Sequence, residues 1–518
     1  MIRSLAAGLQ TKCTHTIVPI SLLQHGYKVL TVVELTDILI LNGCRFSRKP
    51  YDPTTFVTIM AIKLPRIVLT LFQSVDIASL AVFRLLFGLL MCLSMVRFLA
   101  KGWVDSLYLQ PTFFFPYAGF SWVHPWPAWG MYLHVVLLAV LALLLACGCW
   151  YRLSMTLFFV LFTYLELLDQ TNYLNHYYLI SLLSLLMIFC PLHGALSIDA
   201  WRQSALRSAT VPACVLYILR LQIALVYTFA GIAKINTDWL LHAQPLNIWL
   251  SARTDLPLLG FFFAQVWVHY AMSWASILFE LTVGFLLLWR RTRVWTYVLV
   301  VGFHFLTSVL FPIGMFPWIM MVVTTLFFAP DWPRRWMQKG WPRGPMTSAA
   351  SLGPLTRQRK LGLVIGTAYF VVQAVVPLRH HLYPGNVLWT EEGMRFSWKV
   401  MLVEKTGHVD FHVHDPVTGR TWIVLPATYL TLRQEQMMAT RADMVLTLAH
   451  KIADDFRKKG FTHVEVRAEA YMSLNGRPSQ LFIDPSVDLA KEAPGLASKP
   501  WIFPLQEGPP AQLSSSPS

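Results

Sequence analysis

An uninterrupted apolar run, Gly130–Trp150, is the feature that most constrains the fold. Its 21 residues carry no charged side chain, and about 20 such residues are enough for a helix to cross a bilayer. Only 13% of the whole chain is charged, against about 25% in soluble domains. We therefore expect an integral membrane protein. Its net charge of +15 is attributed to basic cytoplasmic loops, and no nucleic-acid partner is predicted.

Further apolar segments predict a polytopic membrane helix bundle, so the expected fold class is mainly α. We expect about nine spans, at 76–96, 130–149, 152–168, 176–192, 211–235, 271–289, 294–311, 317–330 and 361–378. The connection 97–129 is rich in Phe, Trp, Tyr and Pro, which is typical of an interfacial or re-entrant loop. The predicted bundle covers residues 60–378.

The basic residues of the predicted connections are distributed unequally. Fifteen lie in one set of alternate connections, and three, Arg97, Lys101 and Arg253, lie in the other. Because cytoplasmic loops carry the excess of Lys and Arg, the first set is placed in the cytoplasm. With nine spans, the C-terminal part from about Arg379 then lies on the outer side of the membrane.

Residues 379–506 predict a small α+β outer domain. The stretch HVDFHVHDPVTGRTWIVL predicts two short strands around a turn, and residues 432–459 predict one amphipathic helix. The stretch HVEVRAEAYMSLNGRPSQLFID predicts a second hairpin, with Asn475 and Gly476 at its turn.

The two ends of the chain differ in character from the parts between them. In residues 1–59, Lys28, Glu34 and Asp37 interrupt the one apolar candidate. We interpret this segment as a disordered or extraneous extension ahead of a natural start at Met60. The last residues, 507–518, are rich in Ser and Pro and predict a disordered tail.

Three ionisable residues fall at one level of the predicted bundle. His176 begins the fourth span, Lys234 ends the fifth, and His304 lies about 10 Å below the outer end of the seventh, at 1.5 Å per residue. Structural interpretations remain open for each: Lys234 can extend to the interface, and the two histidines can be hydrogen-bonded core residues. The alternative is an outward-facing polar site in an enzyme or a transporter.

Three other charged residues lie deeper, and we predict a structural ion pair among them. A lone charge inside a membrane is costly, so Glu280 is expected to pair with Arg84 or Arg220. His412 and His414, two apart on a strand, lack an evident third ligand, and no metal site is predicted.

Five stretches resemble vitamin K-dependent γ-glutamyl carboxylase and its bacterial relatives, the horizontally transferred transmembrane (HTTM) domain family. They are VDIASLAVFRLLFGLLM, LLDQTNYLNHYYL, LRLQIALVYTFAGIAKINTDWL, FHFLTSVLFPIGMFPW and YPGNVLWTEEGMRFSWKVML. They occur in the family's order between about residues 75 and 506. The last stretch is typical of bacterial members, so we expect a multi-pass protein of the bacterial inner membrane with a periplasmic C-terminal domain.

The resemblance implies an enzyme that uses a reduced naphthoquinone (reduced vitamin K), O₂ and CO₂, with no metal. In this family the quinol is deprotonated and reacts with O₂, and the resulting base removes the γ-proton of a peptidyl glutamate. The carbanion then takes up CO₂, giving γ-carboxyglutamate and quinone epoxide. The implied partners are a lipid-borne quinone, a glutamate-containing peptide and the bilayer.

The resemblance also implies roles for individual residues. Lys234, in the AGxxK motif, matches the base that starts quinol oxidation. His176 matches the histidine that supports it, with Asn175 beside it, and His304 matches the histidine of the FH motif. The segment associated with glutamate binding maps to Phe396, Ser397 and Trp398.

Two departures from the animal enzymes keep alternatives open. Phe396 stands where they have Tyr, and Lys399 stands where they have Asp, so a hydroxyl and a negative charge are lost near the expected glutamate. Quinol epoxidation without glutamate carboxylation is therefore one alternative. A membrane transporter or lipid-handling protein that uses the same cavity without chemistry is the other.

Overall fold

The computed structural model describes residues 68–336, 356–506 and 508. The predicted N-terminal extension, 1–59, and the predicted tail, 507–518 apart from residue 508, lie outside the described residues. The interpretations of these two segments therefore stay predictions.

Nine helices of the described ranges overlap the nine predicted spans. They are α1 (Ala78–Ala100), α2 (Ala128–Cys147), α3 (Tyr151–Leu167), α4 (Asn175–Phe189), α5 (Ala213–Ala233), α6 (Val266–Leu288), α7 (Arg293–Leu310), α8 (Phe316–Thr324) and α9 (Arg357–Val375). Six of these described helices, α1, α2, α5, α6, α7 and α9, are long and apolar enough to cross a membrane. The mainly α membrane bundle is confirmed, while the nine crossings stay a prediction.

Short elements connect the bundle helices. Five of them are short helices: Ile198–Arg202, Thr237–His242, Leu246–Ser251, Gly260–Phe263 and Trp332–Trp336. A further short helix, Val387–Thr390, follows α9. A two-stranded antiparallel sheet joins β1 (Ser74–Asp76) to β2 (Thr210–Pro212), just ahead of α1 and α5.

Two helix pairs approach closely at glycines. A Cβ on Gly88 of α1 would lie 2.5 Å from the backbone nitrogen of Ala146 in α2, and one on Gly231 of α5 would lie 2.9 Å from the Leu281 side chain of α6. Small residues at such contacts let helix backbones pack tightly in a membrane. The second contact brings the end of α5 against α6, and the candidate site depends on this geometry.

Arg84 and Arg220 are buried, but neither contacts Glu280, so the predicted ion pair is wrong. Arg84 donates to backbone carbonyls at the end of α2 and in the loop after α4. Arg220 donates to two carbonyls in the turn that follows α8, at 2.8 Å each. Carbonyls at helix C-termini lack intrahelical partners, and a guanidinium offers five donors to satisfy them. Both arginines therefore have a structural role in which backbone carbonyls, rather than a carboxylate, accept their hydrogen bonds.

The C-terminal domain is built on a four-stranded antiparallel sheet. Its strands are β3 (Lys405–His414), β4 (Thr421–Val424), β5 (Glu465–Leu474) and β6 (Gln480–Leu481), in the order β4-β3-β5-β6. Helices α10 (Leu432–Met438) and α11 (Ala442–Lys458) pack on its apolar face. The predicted α+β domain is confirmed.

Two local predictions in this domain have different outcomes. Asn475 and Gly476 both have positive φ, 51° and 80°, as a tight hairpin turn requires. The single helix predicted at 432–459 is wrong, because the chain is extended at Arg441, with φ −137°. The Arg441 side chain binds Glu391 at 3.0 Å, and sequence periodicity does not report such a tertiary contact.

Polar residues between α3 and α4 hold the domain on the bundle. Asp169 accepts hydrogen bonds from the backbone of Thr171 (2.9 Å) and from Gln434 Nε2 of α10 (2.9 Å). Gln434 also donates to the carbonyl of Phe113 at 2.8 Å. The polar start of the LLDQTNYLNHYYL stretch thus forms part of the contact between the two regions.

Candidate active site

Lys234 lies directly after α5 and is buried, with 4% of its surface exposed. Its Nζ atom donates to Glu280 Oε2 of α6 at 2.6 Å and lies 5.2 Å from the centre of the Trp239 ring. A lysine that extends to the interface would expose its ammonium. The buried ion pair therefore excludes that interpretation of Lys234.

The Lys234–Glu280 pair corrects the predicted role of Glu280, and sequence reasoning missed it. Small residues give the signal that was available: Gly231 and Gly284 mark the α5–α6 contact, and a Cβ on Gly284 would lie 3.4 Å from Ala224. That contact aligns the end of α5 with the helix that carries Glu280. Charge and depth alone did not distinguish Lys234 from the two arginines as its partner.

The pair lines a cavity of about 720 Å³, called here the apolar cavity. Lys234 and Glu280 are the two charged residues in its lining, and the rest is apolar, aromatic, small or hydroxyl-bearing. Leu278, Val298 and Leu299 belong to the lining and are also more than half exposed at the surface of α6 and α7. One side of the cavity therefore adjoins the apolar surface of the bundle.

The two histidines lie next to this cavity, each close to the same aromatic ring. Phe316 lines the cavity, and its ring centre is 5.8 Å from that of His304 and 6.0 Å from that of His176. His304 Nε2 is 2.8 Å from the Tyr227 hydroxyl. Within the described ranges its Nδ1 atom is buried without a hydrogen-bond partner. The structure thus brings His176 and His304 together at Phe316. Phe316 and Lys234 both line the apolar cavity.

Asn175 connects α4 to the segment that the resemblance associates with glutamate. Its Nδ2 atom lies 3.4 Å from the Lys399 carbonyl, and its Oδ1 atom accepts from the Tyr173 hydroxyl at 3.0 Å. Tyr173 in turn accepts from the backbone N–H of Phe396 at 2.8 Å. These contacts fix the segment 396–399 against the start of α4.

The backbone from 396 to 401, which includes this segment, is strained at three residues. Phe396, Trp398 and Met401 have φ values of 61°, 58° and 54°. This is a left-handed backbone conformation that residues other than glycine rarely adopt. Such residues cost on the order of 1–3 kcal/mol each and persist where surrounding structure holds them. The Trp398 ring, for example, stacks on Tyr178 at 4.9 Å.

A second cavity, of about 1130 Å³, lies on the other side of this segment and is called here the polar cavity. Its ionisable lining residues are Asp238, His242, His380, His381, Lys399 and Arg477. Of the three residues predicted to bind glutamate, Ser397 lines this cavity. The rings of Phe396 and Trp398 instead pack among tyrosines of the bundle.

Lys399 differs from the other ionisable residues of the polar cavity in combining burial with the lack of an ion-pair partner among the described residues. It is 9% exposed, and among the described residues no carboxylate lies within ion-pair distance of it. Burial lowers the pKa of its ammonium to about 8. Arg477, in contrast, is bound by both oxygens of Asp238 at 2.8 and 2.5 Å. Lys399 is therefore the cation of this cavity that lacks a protein counter-ion in the part of the chain described.

The two cavities share a wall. Ser397 and Lys399 line the polar cavity, whereas Val400 and Met401 line the apolar one. At the end of α5, Ala233 likewise lines the polar cavity and Lys234 lines the apolar one. Two adjoining stretches, 233–234 and 397–401, therefore separate an apolar compartment from a polar one.

The histidine pair of the C-terminal sheet belongs to neither cavity. His412 Nε2 lies 3.6 Å from Glu469, and His414 Nδ1 lies 3.2 Å from the Thr421 hydroxyl. Both contacts are with polar neighbours on adjacent strands, which is an ordinary arrangement on a solvated sheet face.

Comparison with protein families gives two matches over separate ranges. The HTTM domain matches residues 72–332, and the lumenal domain of vitamin K-dependent gamma-carboxylase matches residues 358–508. No solved structure matches the chain. The helical bundle and the sheet domain thus define a multi-pass membrane protein of the carboxylase type. The chain belongs to the HTTM domain family, which confirms the resemblance, and its lumenal domain implies vitamin K hydroquinone, O₂, CO₂ and a glutamate-containing substrate.

Proposed function

We propose that this protein is a membrane enzyme that couples O₂-dependent epoxidation of a reduced naphthoquinone to carboxylation of peptidyl glutamate. The observation that carries the proposal is the wall shared by the apolar and polar cavities. A reaction that oxidises a lipid-borne quinol and uses the base so formed on a peptide side chain requires two adjoining sites of opposite character.

The apolar cavity fits the quinol. Its volume of about 720 Å³ lies within the roughly 300–1,000 Å³ of small-molecule sites. Its apolar lining suits the rings and the isoprenoid chain, and its side along α6 and α7 gives access from the bilayer. When bound, the reduced quinone supplies the electrons that reduce O₂, and a strong base results.

Lys234 is the residue we propose to accept the proton of the quinol hydroxyl, at its Nζ atom. The pair with Glu280 is the one charged feature of the lining, so a polar ligand group entering the cavity is directed to it. Water is largely excluded from such a site, which strengthens hydrogen bonds to the developing oxyanion. His176, Asn175 and His304 are proposed to support this site from behind Phe316 and through the segment 396–399.

The polar cavity is proposed to hold the glutamate side chain. A carboxylate entering it finds Lys399, a buried cation without a carboxylate partner in the described ranges, and the hydroxyl of Ser397. A charge-assisted hydrogen bond to a carboxylate is roughly twice as strong as a neutral one. Lys399 thus supplies a recognition group at the position where the animal enzymes are expected to have an acid.

Epoxidation without carboxylation is the second candidate, and one observation favours it. Phe396 and Trp398, two of the three residues expected to bind glutamate, are packed in an aromatic cluster with Tyr117, Tyr173 and Tyr178. If the third, Ser397, binds no peptide, the quinol reaction proceeds alone.

We also propose the topology and the domain boundaries. The excess of basic residues in alternate connections favours an outer C-terminal domain, which in a bacterial inner membrane is periplasmic. The bundle is assigned to residues 60–378 and the outer domain to 379–506. A reporter active only in the cytoplasm, fused after Ser518, should give no signal, and a strong signal would overturn the orientation.

The function is tested with the purified full chain in lipid nanodiscs supplied with reduced naphthoquinone and O₂. We expect quinone epoxide to form, and labelled CO₂ to enter a glutamate-containing peptide. Epoxide without label in the peptide selects the second candidate. The absence of epoxide from well-folded protein would contradict both and favour a transporter or lipid-handling protein.

A further inference from the structure

We infer that Glu280 positions Lys234 and takes up the proton that Lys234 must lose before it acts as a base. This inference rests on the proposed function, because it concerns the residue that would begin quinol oxidation. The geometry that carries it is the single 2.6 Å contact between Lys234 Nζ and Glu280 Oε2 at the wall of the apolar cavity.

A lysine can accept a proton only when its nitrogen holds a free electron pair. Within the ranges that the structure describes, Glu280 Oε2 is the acceptor within hydrogen-bond distance of Nζ. Transfer along this contact breaks one N–H bond and forms one O–H bond. The ion pair becomes a neutral amine beside a neutral carboxylic acid, and the net charge does not change.

The surroundings favour this transfer. The Nζ and carboxylate groups have side-chain exposures of 5% and 10%, and the cavity beside them has an apolar lining. Removing charges from water is costly, and a buried ion pair repays the cost only when further hydrogen bonds satisfy it. This pair has one hydrogen bond. Converting it from the ionised to the neutral form therefore costs less free energy here than the same proton transfer would cost in water.

Once the proton is on Glu280, Nζ accepts the proton of the quinol hydroxyl. One O–H bond of the substrate breaks and one N–H bond forms, which leaves an ammonium ion beside the substrate oxyanion and a neutral Glu280. The two new charges lie next to each other and compensate one another. Glu280 is therefore a positioning residue that acts through Lys234.

Three other titratable side chains near the pair have hydrogen-bonded or ionic partners, although His304 Nδ1 has none among the described residues. On α5 and α7, Tyr227 and His304 form a hydrogen bond of 2.8 Å with each other. On the short helix after α5, Asp238 is bound by Arg477 at 2.5 Å. A pH dependence that appears only when Glu280 changes is therefore assigned to the Lys234–Glu280 pair.

The test is the pH–rate profile of epoxide formation by the full chain in nanodiscs, with Glu280→Gln, Glu280→Asp and Lys234→Ala. Glutamine cannot take up the proton of the ammonium ion, so we expect kcat near neutral pH to fall about 10- to 100-fold, and to recover as rising pH removes the proton. General-base catalysis contributes roughly 10²–10⁴-fold in all. Aspartate should restore part of the rate at neutral pH, because it restores the carboxylate but not its reach.

The matched control is Glu391→Gln in the C-terminal domain. Glu391 has the same 10% side-chain exposure and also pairs with a lysine, at 2.9 Å, but it does not line either cavity. We expect its pH–rate profile to match that of the wild type for the folded fraction.

The outcomes separate this inference from the proposed function. An inactive Lys234→Ala together with a wild-type profile for Glu280→Gln would overturn the role of Glu280 and leave Lys234 as the base. A fully active Lys234→Ala would overturn the assignment of the base itself. If Glu280→Gln does not fold, Glu280→Asp decides: a profile identical to that of the wild type counts against the inference, and a shifted profile supports it.

Discussion

Two buried lysine–glutamate pairs, one in the bundle and one in the C-terminal domain, have nearly the same burial but different surroundings. Lys234 and Glu280 have side-chain exposures of 5% and 10%, and Lys405 and Glu391 have 4% and 10%. In the domain, Lys405 also donates to a backbone carbonyl at 3.1 Å, and Arg441 binds the second oxygen of Glu391 at 3.0 Å. In the bundle, each partner has one described hydrogen bond, to the other.

From this difference we propose that the domain pair is structural and the bundle pair reactive. The domain pair has the additional hydrogen bonds that a buried ion pair needs to offset desolvation. Although burial raises the pKa of the Glu391 carboxyl, Lys405 and Arg441 lower it to about 2, so it stays ionised. Within the described residues the bundle pair lacks such additional hydrogen bonds, and it lines a cavity, so we expect its protons to be available to a ligand.

The largest effect is expected from replacing Lys234. Lys234→Ala should reduce epoxide formation by about 10²–10⁴-fold, the usual contribution of a general base. Lys234→Arg should not restore the rate, because a guanidinium keeps its proton in proteins. The measurement is the initial rate of epoxide formation at saturating quinol. Full activity of Lys234→Arg would make this residue an electrostatic anchor.

The domain pair should show its importance in stability. Removing one partner of a buried pair costs about 3–5 kcal/mol, so Glu391→Gln should lower the free energy of unfolding by that amount. Glu280→Gln should cost less, because a glutamine oxygen can still accept the single hydrogen bond from Lys234, whereas Glu391→Gln weakens the contacts to both Lys405 and Arg441. Thermal unfolding in detergent, followed by circular dichroism, compares the two. An equal loss in both variants would remove the distinction between the pairs.

Acid should affect the domain through the same carboxylate. The pKa of Glu391 is about 2 in the folded protein, below its ordinary value of 4.5. Its contribution is therefore present above pH 4.5 and is lost as the pH falls from about 4.5 to 2. Unfolding titrations at a series of pH values should show this loss in the wild type and a smaller loss in Glu391→Gln. Equal slopes for both proteins would contradict the assignment.

A smaller effect is expected in the polar cavity. Lys399→Met should raise the KM for a glutamate-containing peptide about tenfold, equivalent to about 1.4 kcal/mol, without changing epoxidation in the absence of peptide. Because burial lowers the pKa of Lys399 to about 8, peptide affinity in the wild type should weaken as the pH rises above about 8. Peptide KM values from pH 6.5 to 9 measure this, and a pH-independent KM would exclude Lys399 as the recognising cation.

Much of the architecture follows from sequence patterns that have a direct physical basis. Apolar runs such as Gly130–Trp150 predict helices because unpaired backbone groups are too costly in lipid. The Asn475-Gly476 turn was predictable because both residues tolerate positive φ. The motif around Lys234 could be placed at the end of its helix, since helix length follows from the number of apolar residues.

What could not be predicted depends on contacts between distant parts of the chain. Glu280 pairs with Lys234 rather than an arginine because α5 and α6 pack closely at Gly231, and the depth of a charge along the sequence does not specify that contact. The break at Arg441 depends on Glu391, 50 residues earlier. The wall at 397–401 depends on a strained backbone that local propensity disfavours, and such conformations are held by tertiary structure.

The most direct test of the comparison is to measure the rate of epoxide formation per folded molecule and the melting temperature for Lys234→Ala and Lys405→Ala side by side. If the bundle pair is reactive and the domain pair structural, Lys234→Ala loses the rate and keeps most of its melting temperature. Lys405→Ala then loses melting temperature and keeps its rate. If both variants lose rate and stability in the same proportion, the two pairs do not differ in kind, and Lys234 is not the base.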